Sequence, residues 1–302
     1  MSARSHCIAV VNQKGGVGKT TTAVNLAASI AACERRTLLV DMDPQANATS
    51  GFGVVGPSAQ IYDALIGERS IDQIALPTEL AYLQLVPSAP DLVGAEIELV
   101  GVAERERRLE QALAPVLDRY DFILVDCPPS LGLLTLNALT AVDAVLIPLQ
   151  CEYYALEGLA RLLETVDLVR RELNPRLELL GIVLTMVDSR NNLARQVEAE
   201  VCKWFGGRVF KTRIPRNIRL SEAPSHGKPI LLYDIRSKGA LSYMRLAEEI
   251  LGMPEVHPTQ KLRAEPQNVL LAISSRELNS SGKATAVKSQ TTMTGGSRVD
   301  TA

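Results

Sequence analysis

The segment 14–21, K-G-G-V-G-K-T-T, constrains the fold of this chain more than any other feature. It follows an apolar run, residues 8–11, that predicts a buried strand, and it leads into an Ala- and Leu-rich stretch that predicts a helix. Its glycines allow the backbone to curl so that consecutive N–H groups face one anionic point, and the helix N-terminus adds partial positive charge. The sequence therefore predicts a phosphate-binding loop, in which Lys19 contacts the β- and γ-phosphates and the Thr20 hydroxyl binds Mg²⁺.

The loop departs from the common phosphate-loop pattern G-x-x-x-x-G-K-[ST]. Gln13 occupies the position of the first glycine, and a second lysine, Lys14, precedes the glycines. The strand, the loop, the helix and the two lysines together argue against an incidental glycine-rich turn.

Apolar, β-branched runs alternate with stretches of helical spacing along the chain. Continuous apolar strands separated by helices are typical of a parallel sheet that is covered on both faces. We therefore predict an α/β fold of the P-loop NTPase type, with a mostly parallel sheet and helices on both faces. The predicted strands are residues 8–11, 37–40, 83–86, 122–125, 144–148, 179–187 and 209–214. The predicted helices are residues 21–32, 96–117, 156–173, 192–205 and 240–251.

The composition changes after about residue 251. Gly252, Met253 and Pro254 end the last predicted helix, and the chain from Ser280 onward is rich in Ser, Thr and Gly. We predict one P-loop domain over residues 1–252 and a polar, disordered C-terminal tail over residues 253–302. Within the tail, residues 268–273 (NVLLAI) have the composition of a short helix or docking segment.

Bulk composition excludes several classes of protein. The hydrophobic fraction of 46% and the charged fraction of 22% are typical of a soluble globular protein, and a formal net charge of -2 argues against a uniformly basic nucleic-acid binder. The five cysteines form no C-x-x-C pair, which argues against a zinc or iron–sulfur site and favours a reducing compartment. No apolar run reaches the roughly 20 residues of a membrane span, and no signal peptide is visible. We predict a soluble, cytoplasmic protein.

Carboxylates follow two of the predicted strands. Asp43 lies just beyond the strand 37–40, and Asp126 follows the strand 122–125. The carboxyl ends of parallel strands form the edge where α/β sheets bind ligands. Asp43 is placed there to orient or deprotonate an attacking water, and Asp126 to hold Mg²⁺ through water, with Asp43 as a further candidate near the metal. Asp41 is expected to support the metal shell.

These motifs resemble one known family. K-G-G-V-G-K-T-T is similar to the deviant Walker A motif of the ParA/MinD ATPases, and the resemblance continues through most of residues 6–251. The segment 38–45 (LLVDMDPQ) resembles the family's switch I, and the segment 122–129 (FILVDCPP) its Walker B motif and switch II. The segments 47–51 (NATSG) and 215–225 (PRNIRLSEAPS) are similar to the chromosomal Soj/ParA branch.

The resemblance implies a weak, partner-stimulated ATPase that closes into a homodimer when it binds ATP and Mg²⁺. It implies that Lys14 crosses the dimer interface to the phosphates of the other subunit and is catalytic together with Asp43. The resemblance implies that Pro215 and Asn217 lie near the adenine. The expectation that the chain binds ATP in preference to GTP also rests on the resemblance alone. The residues expected to contact the nucleotide are Lys14, Gly15, Gly16, Val17, Gly18, Lys19, Thr20, Thr21, Pro215 and Asn217.

A basic region lies near the end of the predicted domain. Residues 190–245 contain twelve Lys and Arg residues against four acids, a balance that suits contacts with a phosphate backbone without sequence readout. The resemblance to Soj-type proteins, whose ATP-bound dimers bind DNA nonspecifically, makes Arg190 and Arg219 the preferred contacts, with Arg216 and Lys211 behind them.

The partners and rival functions follow from the same family. The resemblance implies nonspecific double-stranded DNA, a ParB-type centromere-binding protein and a nucleoid-associated location, and it leaves chromosomal and plasmid partitioning open. A MinD-like, membrane-associated division-site regulator is the alternative, but it should carry a C-terminal amphipathic helix that the Ser/Thr-rich end lacks. An iron–sulfur carrier or a ligase-like relative is opposed by the absence of C-x-x-C and by the segment 215–225.

Overall fold

The computed structural model describes residues 5–152, 154–188 and 190–253. Within these ranges, eight strands form one sheet. The strands are β1 (His6–Val10), β2 (Thr37–Asp41), β3 (Leu76–Pro77), β4 (Leu83–Val86), β5 (Phe122–Asp126), β6 (Ala144–Gln150), β7 (Glu178–Val187) and β8 (Val209–Pro215). Their order across the sheet is β3-β4-β2-β5-β1-β6-β7-β8, and every neighbouring pair is parallel except β3 and β4.

The helices lie on both faces of this sheet. They are α1 (Lys19–Ala32), α2 (Asn47–Ser50), α3 (Ile61–Ile66), α4 (Ile71–Ile74), α5 (Val93–Glu98), α6 (Arg108–Leu113), α7 (Leu133–Ala141), α8 (Ala155–Glu172), α9 (Asn192–Phe205), α10 (Ile218–Glu222), α11 (Ile230–Tyr233) and α12 (Lys238–Leu251). Side chains of β1 alternate between two cores: Ala9 packs in the core that includes residues of α6, α7 and α8, and Val10 in the core that includes residues of α1 and α12. This alternation follows from the two-residue period of a strand and confirms the predicted α/β class.

The register of the central strands brings their carboxyl ends to one edge of the sheet. Val10, the last residue of β1, pairs with Asp126 at the end of β5, and Asp41 at the end of β2 pairs with the same Asp126. The loop after β1 and the carboxylates after β2 and β5 therefore share the edge at which parallel α/β sheets bind ligands.

The predicted helix over residues 96–117 is wrong. The chain there forms α5, a 3₁₀ turn at Leu99–Gly101, a second at Arg105–Arg107, α6, and a third at Ala114–Arg119. Extended backbone at Val102 interrupts the first half, and Pro115, which has no N–H to donate, lies in the final 3₁₀ segment. The charge pattern along these residues is therefore distributed over several short turns.

The other predicted elements agree with the structure to within a few residues. The elements that were not predicted are the strand β3 and the helices α2, α3, α4, α7, α10 and α11. None of the helices in the described ranges has both the length and the apolar character needed to cross a bilayer. The predicted tail beyond Met253, including residues 268–273, lies outside the described residues.

Candidate nucleotide-binding site

The predicted phosphate loop connects β1 to α1 and is held open by contacts from both sides. Asn12 accepts a hydrogen bond from the Lys14 N–H (3.0 Å) and donates one to the Pro148 carbonyl (2.7 Å), while the Thr185 hydroxyl donates to the Val17 carbonyl (2.8 Å). The Pro148 carbonyl of β6 and the Thr185 side chain of β7 thus hold the loop at its two halves.

Two glycines give the loop its curvature. Gly16 and Gly18 have φ angles of 75° and 88°, in the left-handed region that other residues adopt only with strain. Gly18 also precedes the first residue of α1, where backbone N–H groups have no partner inside the helix. The loop therefore has the backbone conformation that an anion-binding turn at a helix N-terminus requires.

The Lys19 ammonium group lies inside this loop. Its side chain is buried, and Nζ donates a hydrogen bond of 3.1 Å to the Lys14 carbonyl oxygen. Burial lowers the pKa of Lys19, and the nearby carboxylates of Asp126 and Asp43 act in the opposite direction. A buried cation beside a glycine-rich loop at a helix N-terminus is suited to binding a polyphosphate.

Asp126 is the most unusual carboxylate of the site. It is fully buried at the end of β5, and neither oxygen receives a hydrogen bond of normal geometry from the described residues, although the Thr20 hydroxyl lies near enough to favour the charged form. Burial raises the pKa of Asp126 well above its usual value, and the neighbouring Asp41 raises that pKa further. Because orphaned buried oxygens are rare, this carboxylate needs a cation or a water to satisfy it. The donor set of Asp126 and Thr20 fits Mg²⁺, which prefers hard oxygen ligands and retains several waters.

Asp41 and Asp43 are held by Thr49 and Ser88, two residues whose roles in the site were not predicted. Asp41 accepts hydrogen bonds from the Thr49 N–H (2.8 Å) and hydroxyl (2.7 Å), and burial raises its pKa to about 6. The Ser88 hydroxyl donates to the Asp43 carbonyl (2.8 Å), and the Ser88 N–H donates to the Thr49 hydroxyl (2.8 Å). These contacts fix the chain after β2 against the chain after β4.

The carboxylate of Asp43 has one oxygen available. Oδ1 accepts the Gln45 N–H at 2.9 Å, whereas Oδ2 accepts no hydrogen bond from any residue in the described ranges. Asp43 is buried, and it lies close enough to Lys19 to influence the pKa of that lysine. A carboxylate fixed through one oxygen presents the other to a water or a substrate group.

Lys14 points away from the loop that contains it. Its side chain is 45% exposed and forms an ion pair with Glu152, which follows β6 at the same edge of the sheet. Glu152 was not singled out from the sequence. The available signal was its position directly after a buried strand, the same signal that identified Asp43 and Asp126.

The residues expected to lie near the adenine are at the end of β8. Pro215 is the last residue of β8 and pairs with Val187, the last residue of β7. Asn217 follows as the N-cap of α10, and its buried side-chain oxygen Oδ1 has no hydrogen-bond partner in the described part of the chain. This edge therefore offers an unused acceptor for a ligand donor.

The structure brings three of the four proposed DNA contacts to this same edge. Arg190 and Arg216 follow the parallel strands β7 and β8, and Arg219 lies in α10. Lys211 instead lies within β8, where its backbone N–H donates to Glu249 at 2.7 Å.

Two of these arginines are already paired with acids. Arg190 binds Asp188 (2.9 Å), whereas Arg219 binds Glu222 (2.9 Å) and lies over the ring of Tyr233. Arg216 is exposed and forms no ion pair within the residues that the structure describes.

Comparisons with known proteins agree with this geometry. A family model described as an AAA domain matches residues 5–179. The chain is 61% identical over 246 residues to a chromosome partitioning protein ParA of Myxococcus xanthus, covering 81% of this chain and 87% of the relative. It is 57% identical over 245 residues to the sporulation initiation inhibitor protein Soj of Bacillus subtilis, covering 80% of this chain and 97% of the relative.

A solved structure resembles the whole described domain. It is a cobyrinic acid a,c-diamide synthase from Mycobacterium smegmatis with bound ADP and magnesium, with a TM-score of 0.72 and 37% sequence identity. The match covers 82% of this chain and 94% of that structure. The fold is thus of the P-loop NTPase type, as the sequence predicted.

Proposed function

The chain belongs to the ParA/Soj family of chromosome partitioning proteins, and on that premise we propose that it is an ATP-driven switch that dimerises and binds DNA in its ATP state. The observation that carries this proposal is the buried Lys19 ammonium beside the unsatisfied carboxylate of Asp126, at the mouth of a loop shaped for phosphate. The Lys19 ammonium would bind the phosphates, and the Asp126 carboxylate would bind the Mg²⁺ that accompanies them.

ATP with Mg²⁺ is the proposed ligand. The backbone of residues 14–21 and the Lys19 ammonium would hold the phosphates, while Thr20 and Asp126 would hold Mg²⁺, with Asp43 nearby. When bound, Mg²⁺ neutralises charge on the phosphate oxygens. An adenine amino group could donate to the free Oδ1 of Asn217, whereas guanine has a carbonyl at that position, so this acceptor favours ATP over GTP.

The proposed reaction is slow hydrolysis of ATP to ADP and phosphate. Phosphoryl transfer to water depends on positioning and on neutralising charge, and here Asp43 Oδ2 is the group placed to orient a water. Lys14 supplies a second cation only if it leaves Glu152, because in the single chain it points away from the loop. A requirement for Lys14 from a second subunit explains a low rate for the isolated chain.

Dimerisation through this edge is consistent with the exposure of the loop. Lys14, Gly15 and Gly16 are exposed, whereas Val17 and Lys19 behind them are buried. A methyl group added at Gly16 would meet no atom of the chain within 4 Å. Any steric effect of a side chain at Gly16 must therefore arise from a second molecule or from the positive φ angle.

Because the chain itself leaves space around Gly16, substitutions at this residue can test dimerisation. We expect Gly16→Val to keep ATP binding and to lose ATP-dependent dimerisation, measured by analytical ultracentrifugation with MgATP. Gly16→Ala shares the left-handed backbone strain and adds only one methyl group, so we expect it to keep a larger dimer fraction. A Gly16→Val protein that sediments as a normal ATP-dependent dimer would contradict the proposal.

We propose nonspecific double-stranded DNA as the partner of the ATP state. Arg190, Arg216 and Arg219 lie at the edge that carries the phosphate loop, so closure of two subunits there would combine two sets of cations. Combining phosphate contacts raises affinity and its dependence on salt. The same edge would respond to a ParB-type protein that stimulates hydrolysis, and DNA binding would place the protein on the nucleoid in the cytoplasm.

The test is DNA binding with ATP, with ADP and without nucleotide, by biosensor over a range of salt. We expect binding only with ATP. We expect Arg219→Ala to weaken that binding and to lower the salt slope by about 2, because each subunit of the dimer loses one phosphate contact. Arg36→Ala is the matched control, because Arg36 precedes β2 at the opposite edge, is also paired with an acid, and has 52% side-chain exposure against 54% for Arg219. Binding that is insensitive to salt and to nucleotide would refute the assignment.

The relatives also bear on the membrane-associated alternative. Both curated proteins described above are named for partitioning or sporulation, which favours partitioning over a MinD-like role. The C-terminal amphipathic helix that such a role requires would fall in residues 254–302, outside the described residues.

A further inference from the structure

The segment 217–230 contains Asn217 and Arg219. It contacts α1 and the chain after α2, both of which begin at the nucleotide-binding edge. We propose that Asn25 and the contact between Gly53 and Gly227 position this segment, so that the nucleotide state sets where its side chains lie. The inference rests on the ATP-dependent DNA binding proposed above, and it adds the route by which the nucleotide would act on the DNA-binding surface.

The first contact comes from α1, the helix that follows the phosphate loop. Asn25 is buried, and its Nδ2 donates to the Thr21 carbonyl at 2.8 Å. Its Oδ1 accepts the backbone N–H of Ile230 at 2.7 Å. One side chain therefore connects the first turn of α1, which is expected to contact phosphate, to the end of the segment 217–230.

The second contact comes from the chain after β2. Asp41 holds α2 through both hydrogen bonds of Thr49, and α2 leads to Gly53. Gly53 packs against Gly227 so closely that a Cβ on Gly227 would lie 2.6 Å from the Gly53 Cα and 2.9 Å from its nitrogen. This contact is between two backbones.

A contact between backbones can transmit small movements. Side chains absorb a displacement by changing rotamer, but two backbones in van der Waals contact must shift together. The segment is anchored on its inner side by Ala223 and Ile230, which are buried in the core that includes residues of α1 and α12. A change at Asp41 or Thr21 would therefore displace the outer side of the segment, where Arg219 is exposed.

Gly227→Ala breaks the second contact selectively. The added methyl group forces the segment away from Gly53, so we expect the variant to bind MgATP but to lose the nucleotide dependence of DNA binding. The ratio of DNA affinities with MgATP and with MgADP should be about tenfold or more for the unaltered chain and fall to about twofold for Gly227→Ala. Both affinities are measured by biosensor, and thermal unfolding is followed in parallel.

Two other glycines provide matched controls. Gly206 has a φ of 48° and no atom within 4 Å of an added Cβ, and Gly53 has a φ of 74° and meets Gly227 only at 3.5 Å or more. Gly206→Ala and Gly53→Ala therefore introduce left-handed strain without the close overlap. We expect both to keep the affinity ratio of the unaltered chain, even if their melting temperatures fall.

The outcomes separate this inference from the proposed function. Absence of ATP-dependent DNA binding in the unaltered chain would refute the proposed function. An unchanged ratio in Gly227→Ala, or an equal loss in Gly206→Ala, would overturn the positioning role. If Gly227→Ala does not fold, or if the unaltered chain does not bind DNA, hydrogen exchange on the unaltered chain tests the positioning role instead. Amides of residues 223–230 should exchange more slowly with MgATP than without nucleotide, and unchanged exchange there overturns the inference.

Discussion

An Asp43→Ala protein is expected to bind ATP and to dimerise, but to hydrolyse ATP at least ~100-fold more slowly than the unaltered chain. The expectation follows from the position of the carboxylate. Asp43 Oδ1 is held by the Gln45 N–H, and Oδ2 accepts no hydrogen bond from the residues that the structure describes. Removal of the carboxylate takes away the group that would orient the attacking water, while Lys19 and the backbone of the phosphate loop are left intact.

Two further variants test whether the loss of hydrolysis depends on the Asp43 carboxylate itself. Asp43→Asn keeps an oxygen that can accept the Gln45 N–H, but its amide group carries no charge and cannot accept a proton. An equal loss of ATP hydrolysis in the Asn and Ala variants would therefore assign the effect to the carboxylate charge. Asp167→Asn removes a carboxylate of α8 that pairs with Arg170, and it should leave turnover unchanged. Phosphate release is the measurement, with ATP binding checked separately. Turnover of Asp43→Ala equal to that of the unaltered chain would remove Asp43 from the mechanism.

The sequence predicted those parts of the fold that depend on local pattern. The longer strands are mostly apolar, and the glycines of the phosphate loop lie close together in the sequence, so both could be recognised without knowledge of distant residues. β3 has two residues, and its antiparallel pairing depends on β4. α7 was missed because nearly all of its side chains are buried, which leaves no polar face to reveal a helical period.

The dependence of sequence-based prediction on local pattern also explains which site contacts were not predicted. Asp43, Asp126 and Lys19 are recognisable because each occupies a fixed place relative to a strand or a glycine loop. Glu152 also follows a strand, but its pairing with Lys14 was not recognisable, and neither was the contact of Ser88 with Asp43, because each pair joins residues that are distant in sequence. Such contacts depend on the strand order, which periodicity does not determine.

The loss of nucleotide affinity in Lys19→Ala is the second large expected effect. The Lys19 ammonium is buried, and at present its hydrogen bond goes to the Lys14 carbonyl. Removal of one partner from a buried, hydrogen-bonded charge pair costs about 2–5 kcal/mol, so the affinity for MgATP should fall by ~30-fold or more. The alanine would also remove a positive charge that acts on Asp126 and Asp43, which further opposes the approach of an anionic ligand.

Lys14→Ala is the matched comparison, because it removes the other lysine of the same loop. The Lys14 side chain is 45% exposed and is paired with Glu152, and such exposed pairs contribute at most about 1 kcal/mol. At protein concentrations too low for dimers, we therefore expect Lys14→Ala to bind MgATP within about fivefold of the unaltered chain. Titration with a fluorescent ATP analogue measures both variants. Equal affinity for Lys19→Ala and the unaltered chain would mean that the buried ammonium does not contact phosphate, and the assignment of this loop would fail with it.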